Sequence, residues 1–190
     1  MKKITGILVG LFFCSQLSYG QESSFGVKGG LNSFKWSESQ TTSRTSFHLG
    51  GYYTYMISDQ FAIQPELLYS QQGAKYEINL GPFGGVQKFT YAMNYISIPV
   101  MAKYYITEAL DIHAGPVIGI LLGSSVSGTA GGAVSTNALD VMLGIGAAYQ
   151  FSMGVNFGSR YNFGLLETFQ DGDGTKNRGI QVFVGYSFLQ

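Results

Sequence analysis

Residues Phe61 to Gly73, FAIQPELLYSQQG, alternate between an oily and a wet side. Side chains of an extended strand point to opposite faces with period two, so Phe61, Ile63, Pro65, Leu67 and Tyr69 share one face. Gln64, Glu66, Ser70 and Gln72 share the other, with Leu68 as the exception. The rhythm recurs along the chain. It predicts strands over Phe25–Phe34, Ser46–Ile57, Phe61 to about Lys75, Phe89–Ile106, Leu110–Leu122, Ala138–Gln150 and Met153–Leu165, and a last one in GIQVFVGYSFLQ, eight in all. In the fourth, Ile96, Ile98, Val100, Ala102, Tyr104 and Ile106 share a face, whereas Tyr91, Met93 and Tyr95 upstream have the opposite parity. That slip near Tyr95-Ile96 predicts a β-bulge or an aromatic residue at a boundary.

The connections have a rhythm of their own. Ser58-Asp59-Gln60, Thr107-Glu108-Ala109 and Phe151-Ser152 are tight turns by composition. Between them lie longer polar or glycine-rich segments, Lys35–Thr45, Tyr76–Lys88, Gly123–Asn137 and Leu166–Arg178. Short and long connections in alternation, an even strand number and one apolar face per strand are the pattern of outer-membrane barrels, with tight periplasmic turns and longer external loops. The fold expected is therefore all-β: an eight-stranded antiparallel transmembrane β-barrel. Hydrocarbon offers no water to backbone groups, so strands there close into a ring without an edge. A soluble sandwich also alternates but needs no such rhythm in its connections. A soluble ligand-binding barrel would put the greasy side in, and here the other side is too rich in glycine and polar residues to make a dry core. Pro65, Pro99 and Pro116 each remove a ladder donor, which predicts bulges or strand ends at those positions.

Composition sharpens this picture. The 190 residues include 27 Gly, 13 Tyr and 14 Phe but only 12% charged residues. Lys2 and Lys3, a mostly apolar Ile4–Leu17 and the small residues Ser18 and Gly20 mark residues 1–20 as a secretory signal peptide cleaved after Gly20, leaving 21–190 as the barrel domain. Cleavage removes Cys14, the one cysteine, so no disulfide framework is expected, and Phe12-Phe13 argue against lipid attachment at that cysteine. The remainder carries a net charge of −2 with no basic patch, which gives no support for nucleic-acid binding.

Several segments resemble a known family. GVKGGLN (Gly26 to Asn32), QPELLYSQQG (Gln64 to Gly73), NYISIPVMAKYY (Asn94 to Tyr105), AGP (Ala114 to Pro116), RYNFGL (Arg160 to Leu165) and the closing VGYSF are similar to the porin-family outer-membrane β-barrel domain common in the Bacteroidetes lineage. The resemblance spans essentially the whole chain after residue 20. It implies an OmpA- or OmpX-like barrel in outer-membrane lipid. Phe188, third from the end, resembles the terminal aromatic that barrel-assembly machinery reads. The family name describes a fold and implies little about activity.

Face parity then nominates the chemistry. The inward charges are Lys28, Glu66, Lys103, Asp111, Asp140 and Arg160, with His48 and His113. Glu66 and Arg160 fall at similar heights, and Lys28, Lys103 and Asp111 lower. An eight-stranded barrel is just wide enough for side chains to fill it, so these charges are expected to pair across the lumen. A gated path for small solutes is the sharper alternative, since intramembrane ionisable residues are functional candidates by default. Catalysis would need His48 with Ser46 and a loop acid; His48 and His113 sit at opposite ends and cannot share a site. No metal-ligand spacing is present and no cofactor is expected; Asp171 to Gly174, DGDG, lacks the downstream Glu of a calcium loop. Tyr52, Tyr53, Tyr55, Tyr104, Tyr105 and Tyr186 are expected in interface belts or packing. The four long connections are the candidate surface for an external ligand.

Overall fold

The computed structural model describes residues 23–37, 41–79, 85–128, 136–169 and 174–188. The expected signal segment and cleavage site and most of the DGDG motif lie outside the described residues. Eight strands form one closed antiparallel ring in chain order: β1 Ser23–Trp36, β2 Thr41–Met56, β3 Phe61–Asn79, β4 Val86–Tyr105, β5 Leu110–Ser127, β6 Leu139–Gln150, β7 Val155–Glu167 and β8 Lys176–Ser187. The ring is completed by β1 against β8, from Gly26 opposite Ser187 to Trp36 opposite Asn177.

Which way the faces point decides the environment. Leu31, Leu67 and Val184 are 62%, 59% and 58% exposed, whereas Lys28, Glu66 and Asp111 are 3%, 3% and 1% exposed. The aliphatic rows are outside and the charges inside, the inverse of a soluble barrel.

Three short turns cluster at one end. In the β2–β3 turn the Phe61 amide donates to the Ser58 carbonyl, and in the β4–β5 turn the Thr107 hydroxyl accepts from the Ala109 and Leu110 amides at 3.3 and 3.0 Å. In the β6–β7 turn Gly154 takes φ +90°, a conformation that favours a residue without Cβ. At the other end the strands run further than alternation predicts. Lys35, Trp36, Thr41–Thr45, Tyr76–Asn79, Val86–Lys88, Gly123–Ser127, Leu166, Glu167 and Lys176–Arg178 are strand rather than loop. Beyond the lipid slab both faces of a strand meet water or polar neighbours, so alternation fades while ladder hydrogen bonding continues.

Irregularities follow a rule different from the one expected. None of the three prolines marks a register shift or a strand end. Each instead removes pairs from one ladder while register is kept. The β2–β3 ladder skips from Tyr52–Glu66 to Tyr55–Ile63 beside Pro65. The β3–β4 ladder skips from Pro65–Val100 to Leu68–Ser97 beside Pro99, and β4–β5 from Pro99–Val117 to Ala102–Ala114 beside Pro116. The absent N–H would have met the carbonyls of Tyr53, Glu66 and Val100 respectively, because one missing donor deletes both the pair it closes and the pair next to it. True shifts occur elsewhere, between Ser43 and His48, between Asn94 and Tyr95, and between Phe163 and Glu167. The second lies where the period slips in the sequence, although the residue left unmatched is Leu122 of β5. Strand β4 itself keeps its parity: Met93 and Tyr95 are buried on the same side as Ser97 and Met101.

Candidate functional site in the barrel lumen

The centre of the lumen is an ionic triad drawn from three strands. Arg160 of β7 grips Glu66 of β3 with both terminal nitrogens, Nη1 to Oε2 at 3.1 Å and Nη2 to Oε1 at 2.7 Å. Lys28 of β1 donates to Glu66 Oε1 at 2.7 Å. A fork on a carboxylate fixes orientation as well as charge. Lys28 therefore reaches the level of Glu66 rather than sitting below it, because its four-carbon stem climbs from its own register position. Its ammonium also lies 4.2 Å from the Phe183 ring centroid, within cation–π range. One carboxylate faces two cations, so the triad carries a net charge of +1.

A second ionic group lies nearer the short-turn end. Lys103 Nζ stands 2.9 Å from Asp111 Oδ2 and donates to Gln64 Oε1 at 3.2 Å. His113 Nδ1 stands 2.8 Å from Asp111 Oδ1. Asp140 departs from the expected pairing. Its Oδ2 accepts from Asn177 Nδ2 at 3.2 Å, and no cation is among its partners within the described residues. Opposite Gly119 at the far end of β6, it is out of reach of the cations gathered lower in the barrel.

Amides fill the layer above the triad. Asn32 Oδ1 meets His48 Nδ1 at 2.7 Å and Gln181 Nε2 at 3.0 Å, and Asn162 donates to Gln181 Oε1 at 3.0 Å. The other end of the Asn32 amide donates to the Phe47 and Gln71 carbonyls at 3.0 and 2.6 Å. Those carbonyls flank the shifted register of β2–β3, so a lumen side chain satisfies backbone groups that the bulge frees. Asn177 reaches Gln72 across the same layer. Toward the long hairpins buried apolar side chains join these polar ones. Phe34, Met101, Val117 and Met142 form one buried cluster, and Trp36, Ala74, Met93 and Tyr95 another, with Tyr91, Leu121 and Phe169 against it.

Of the tyrosines expected in interface belts or packing, Tyr52 packs in the lumen: its hydroxyl meets Ser187 Oγ at 2.8 Å and accepts from Asn156 Nδ2 at 2.7 Å. Its ring lies over Gly26, where a Cβ would stand 2.5 Å from the ring's ζ carbon. His48 meets an amide rather than an acid, and Ser46 donates to the Gln71 carbonyl, so the two do not form a catalytic pair. Among the described residues, no group of three or more His, Cys, Asp or Glu gathers as a metal site would require. Asn32, Phe34, Trp36 and Gln181 were readable in principle. Extending the Gly26-Lys28-Gly30 parity of β1 upward puts all three β1 residues in the lumen.

Below the triad a cavity of roughly 490 Å³ opens at the short-turn end. Lys28, Gln64, Lys103 and Asp111 form its floor, and Asp59 and Glu108 lie at its mouth.

An antiparallel ring with an aliphatic exterior and an ion-paired interior is a transmembrane β-barrel. The chain belongs to the outer membrane protein beta-barrel domain family, whose pattern matches residues 15–170, and its place is the outer membrane. The barrel is similar to Neisserial surface protein A, at 19% identity over 88% of this chain and 99% of that one, with a TM-score of 0.52. It is also similar to OprG of Pseudomonas aeruginosa, at 12% identity over 90% of this chain and 98% of that one, with a TM-score of 0.47. The attachment invasion locus protein Ail of Yersinia pestis aligns at 14% identity over 90% of this chain and 100% of that one, with a TM-score of 0.48. These likenesses are of fold. No curated protein sequence matches the chain.

Proposed function

We propose that this protein is a closed outer-membrane barrel with a structural or surface-interaction role, not a channel and not an enzyme. The observation that carries the reading is the Lys28–Glu66–Arg160 triad, with the amide layer and two apolar clusters above it. A solute would have to break charge pairs in a water-poor space, and each buried ion left alone costs several kcal/mol. The long hairpins are then the part free to meet an external ligand. The reading includes export by the signal segment with cleavage after Gly20, and recognition of the last strand by assembly machinery. Phe188 supports the latter: it is 50% exposed on the lipid face and packs against Phe25 and Tyr186, both ring pairs at 5.3 Å.

Planar-bilayer recording of the refolded protein tests closure. The expected result is no steady current. A steady current that changes in Glu66→Ala or Arg160→Ala overturns the closed barrel in favour of a narrow channel. Esterase or acyl-transfer activity abolished by His48→Ala would overturn both.

A further inference from the structure

The cavity beneath the triad is blind toward the cell exterior and open to the periplasm, and its charge is layered along its axis. At the floor the triad contributes a net +1, while Lys103 and Asp111 balance each other at 2.9 Å. At the mouth stand Asp59 and Glu108, both exposed and neither in an ion pair among the described residues. A free anion drawn to the floor must first pass two carboxylates. A molecule negative at one end and positive at the other satisfies both layers at once.

The walls between floor and mouth are mixed. Phe183 and Met56 offer apolar surface, and Thr54 and Asn156 offer hydrogen-bonding groups. Distance then separates ligands of the same charge pattern. Glu66, which holds the Lys28 ammonium, lies five residues of strand above Phe61, where the turn that carries Asp59 begins. At a rise of about 3.3 Å and a tilt of about 40°, that is roughly 13 Å along the axis. A free amino acid holds its charges only about one residue apart, whereas an extended peptide of three or four residues spans this length. The cavity volume of roughly 490 Å³ also suits a ligand of that size.

We propose that the periplasmic half of the lumen is a receptor for the carboxyl end of a short peptide, inserted carboxylate first with its ammonium at the Asp59–Glu108 mouth. Lys28 draws the carboxylate inward because Glu66 is shared with Arg160 and cancels only one of the two cations. The proposal goes beyond the closed-barrel reading and uses the triad only as a floor, so conductance and titration fail separately.

The test is calorimetric titration of the refolded protein in detergent with tetra-alanine, its C-terminally amidated form and alanine. Tetra-alanine is expected to bind at least tenfold more tightly than either of the others. Lys28→Met leaves Glu66 with its Arg160 fork and no orphaned charge, and is expected to weaken tetra-alanine at least tenfold. Asp59→Asn combined with Glu108→Gln alters only exposed turn residues, leaves folding intact, and is expected to weaken it severalfold. Equal binding of the amidated peptide, equal binding of alanine, or unchanged affinity in the turn variant overturns the proposal. Heat-dependent gel mobility reports whether Lys28→Met is folded; if it is folded and its affinity is unchanged, the proposal is likewise overturned.

Discussion

The wall of this barrel has two unlike arcs. From β5 through β6, β7 and β8 to β1 and β2, the ladders run unbroken through the central rows, as in β5–β6 from Leu110–Tyr149 to Ile120–Leu139. From β2 to β5, every ladder is interrupted beside a proline, and Pro65 lies directly opposite Val100, whose carbonyl faces Pro116. Three consecutive seams are therefore weakened in one row. The lumen contacts are distributed accordingly. Strand β3, in the middle of the weak arc, receives Lys28 and Asn32 from β1, Arg160 from β7 and Asn177 from β8. Where the backbone ladder loses bonds, side chains crossing the interior brace the wall from within.

The largest expected effect comes from removing the central brace. Glu66→Ala strands two buried cations and is expected to cost about 3–5 kcal/mol in denaturant unfolding of the refolded barrel. A loss below about 1 kcal/mol would mean that the triad does not hold the arcs together. Next is Asn32→Ala, which takes the side-chain donor from the Phe47 carbonyl, leaves the Gln71 carbonyl with Ser46 alone, and is expected to cost about 1–3 kcal/mol. Hydrogen exchange gives a local version of the comparison. Amides of Gln64, Leu67 and Ala102 are expected to exchange faster than those of Ile145 and Arg160, and equal protection would erase the distinction between arcs. Pro99→Ala returns an N–H toward the Glu66 carbonyl; offset by the freedom the unfolded chain regains, the expected gain is about 1 kcal/mol or less. Smallest is Lys88→Ala in the β3–β4 hairpin. Its pairing with Glu77 at 3.0 Å involves side chains 71% and 46% exposed, so the change is expected within about 0.5 kcal/mol.

Much of this was legible in the chain because a period of two is a strong signal wherever one face meets lipid. Leu67 and Glu66 are neighbours in sequence and opposites in environment, and no other arrangement suits both. The short turns were legible for a related reason, since Ser58-Asp59-Gln60 and Thr107-Glu108-Ala109 break two apolar rows at once. Lumen architecture was harder. Phe34 and Trp36 obey the inward parity of Lys28 and Asn32, but an apolar residue at a polar position reads as the end of a strand, not as a plug. The sequence leaves Tyr52 between belt and packing because a tyrosine suits a membrane boundary and a lumen equally well; only the facing Asn156 and Ser187, far along the chain, decide it. The prolines were misread in kind. A missing donor thins a ladder without displacing it when the flanking pairs and the interior contacts hold the register.

The ring closes through β1 and β8, and the Phe188 amide donates to the Phe25 carbonyl at 2.9 Å beside that seam. The first strand made is thus the last to find its second neighbour. Until β8 is in place, seven strands would expose an open margin on either side, with no intermediate size at which the loop could shut. A chain cut short within β8 would therefore yield no smaller cylinder, only an open-edged substrate for proteases.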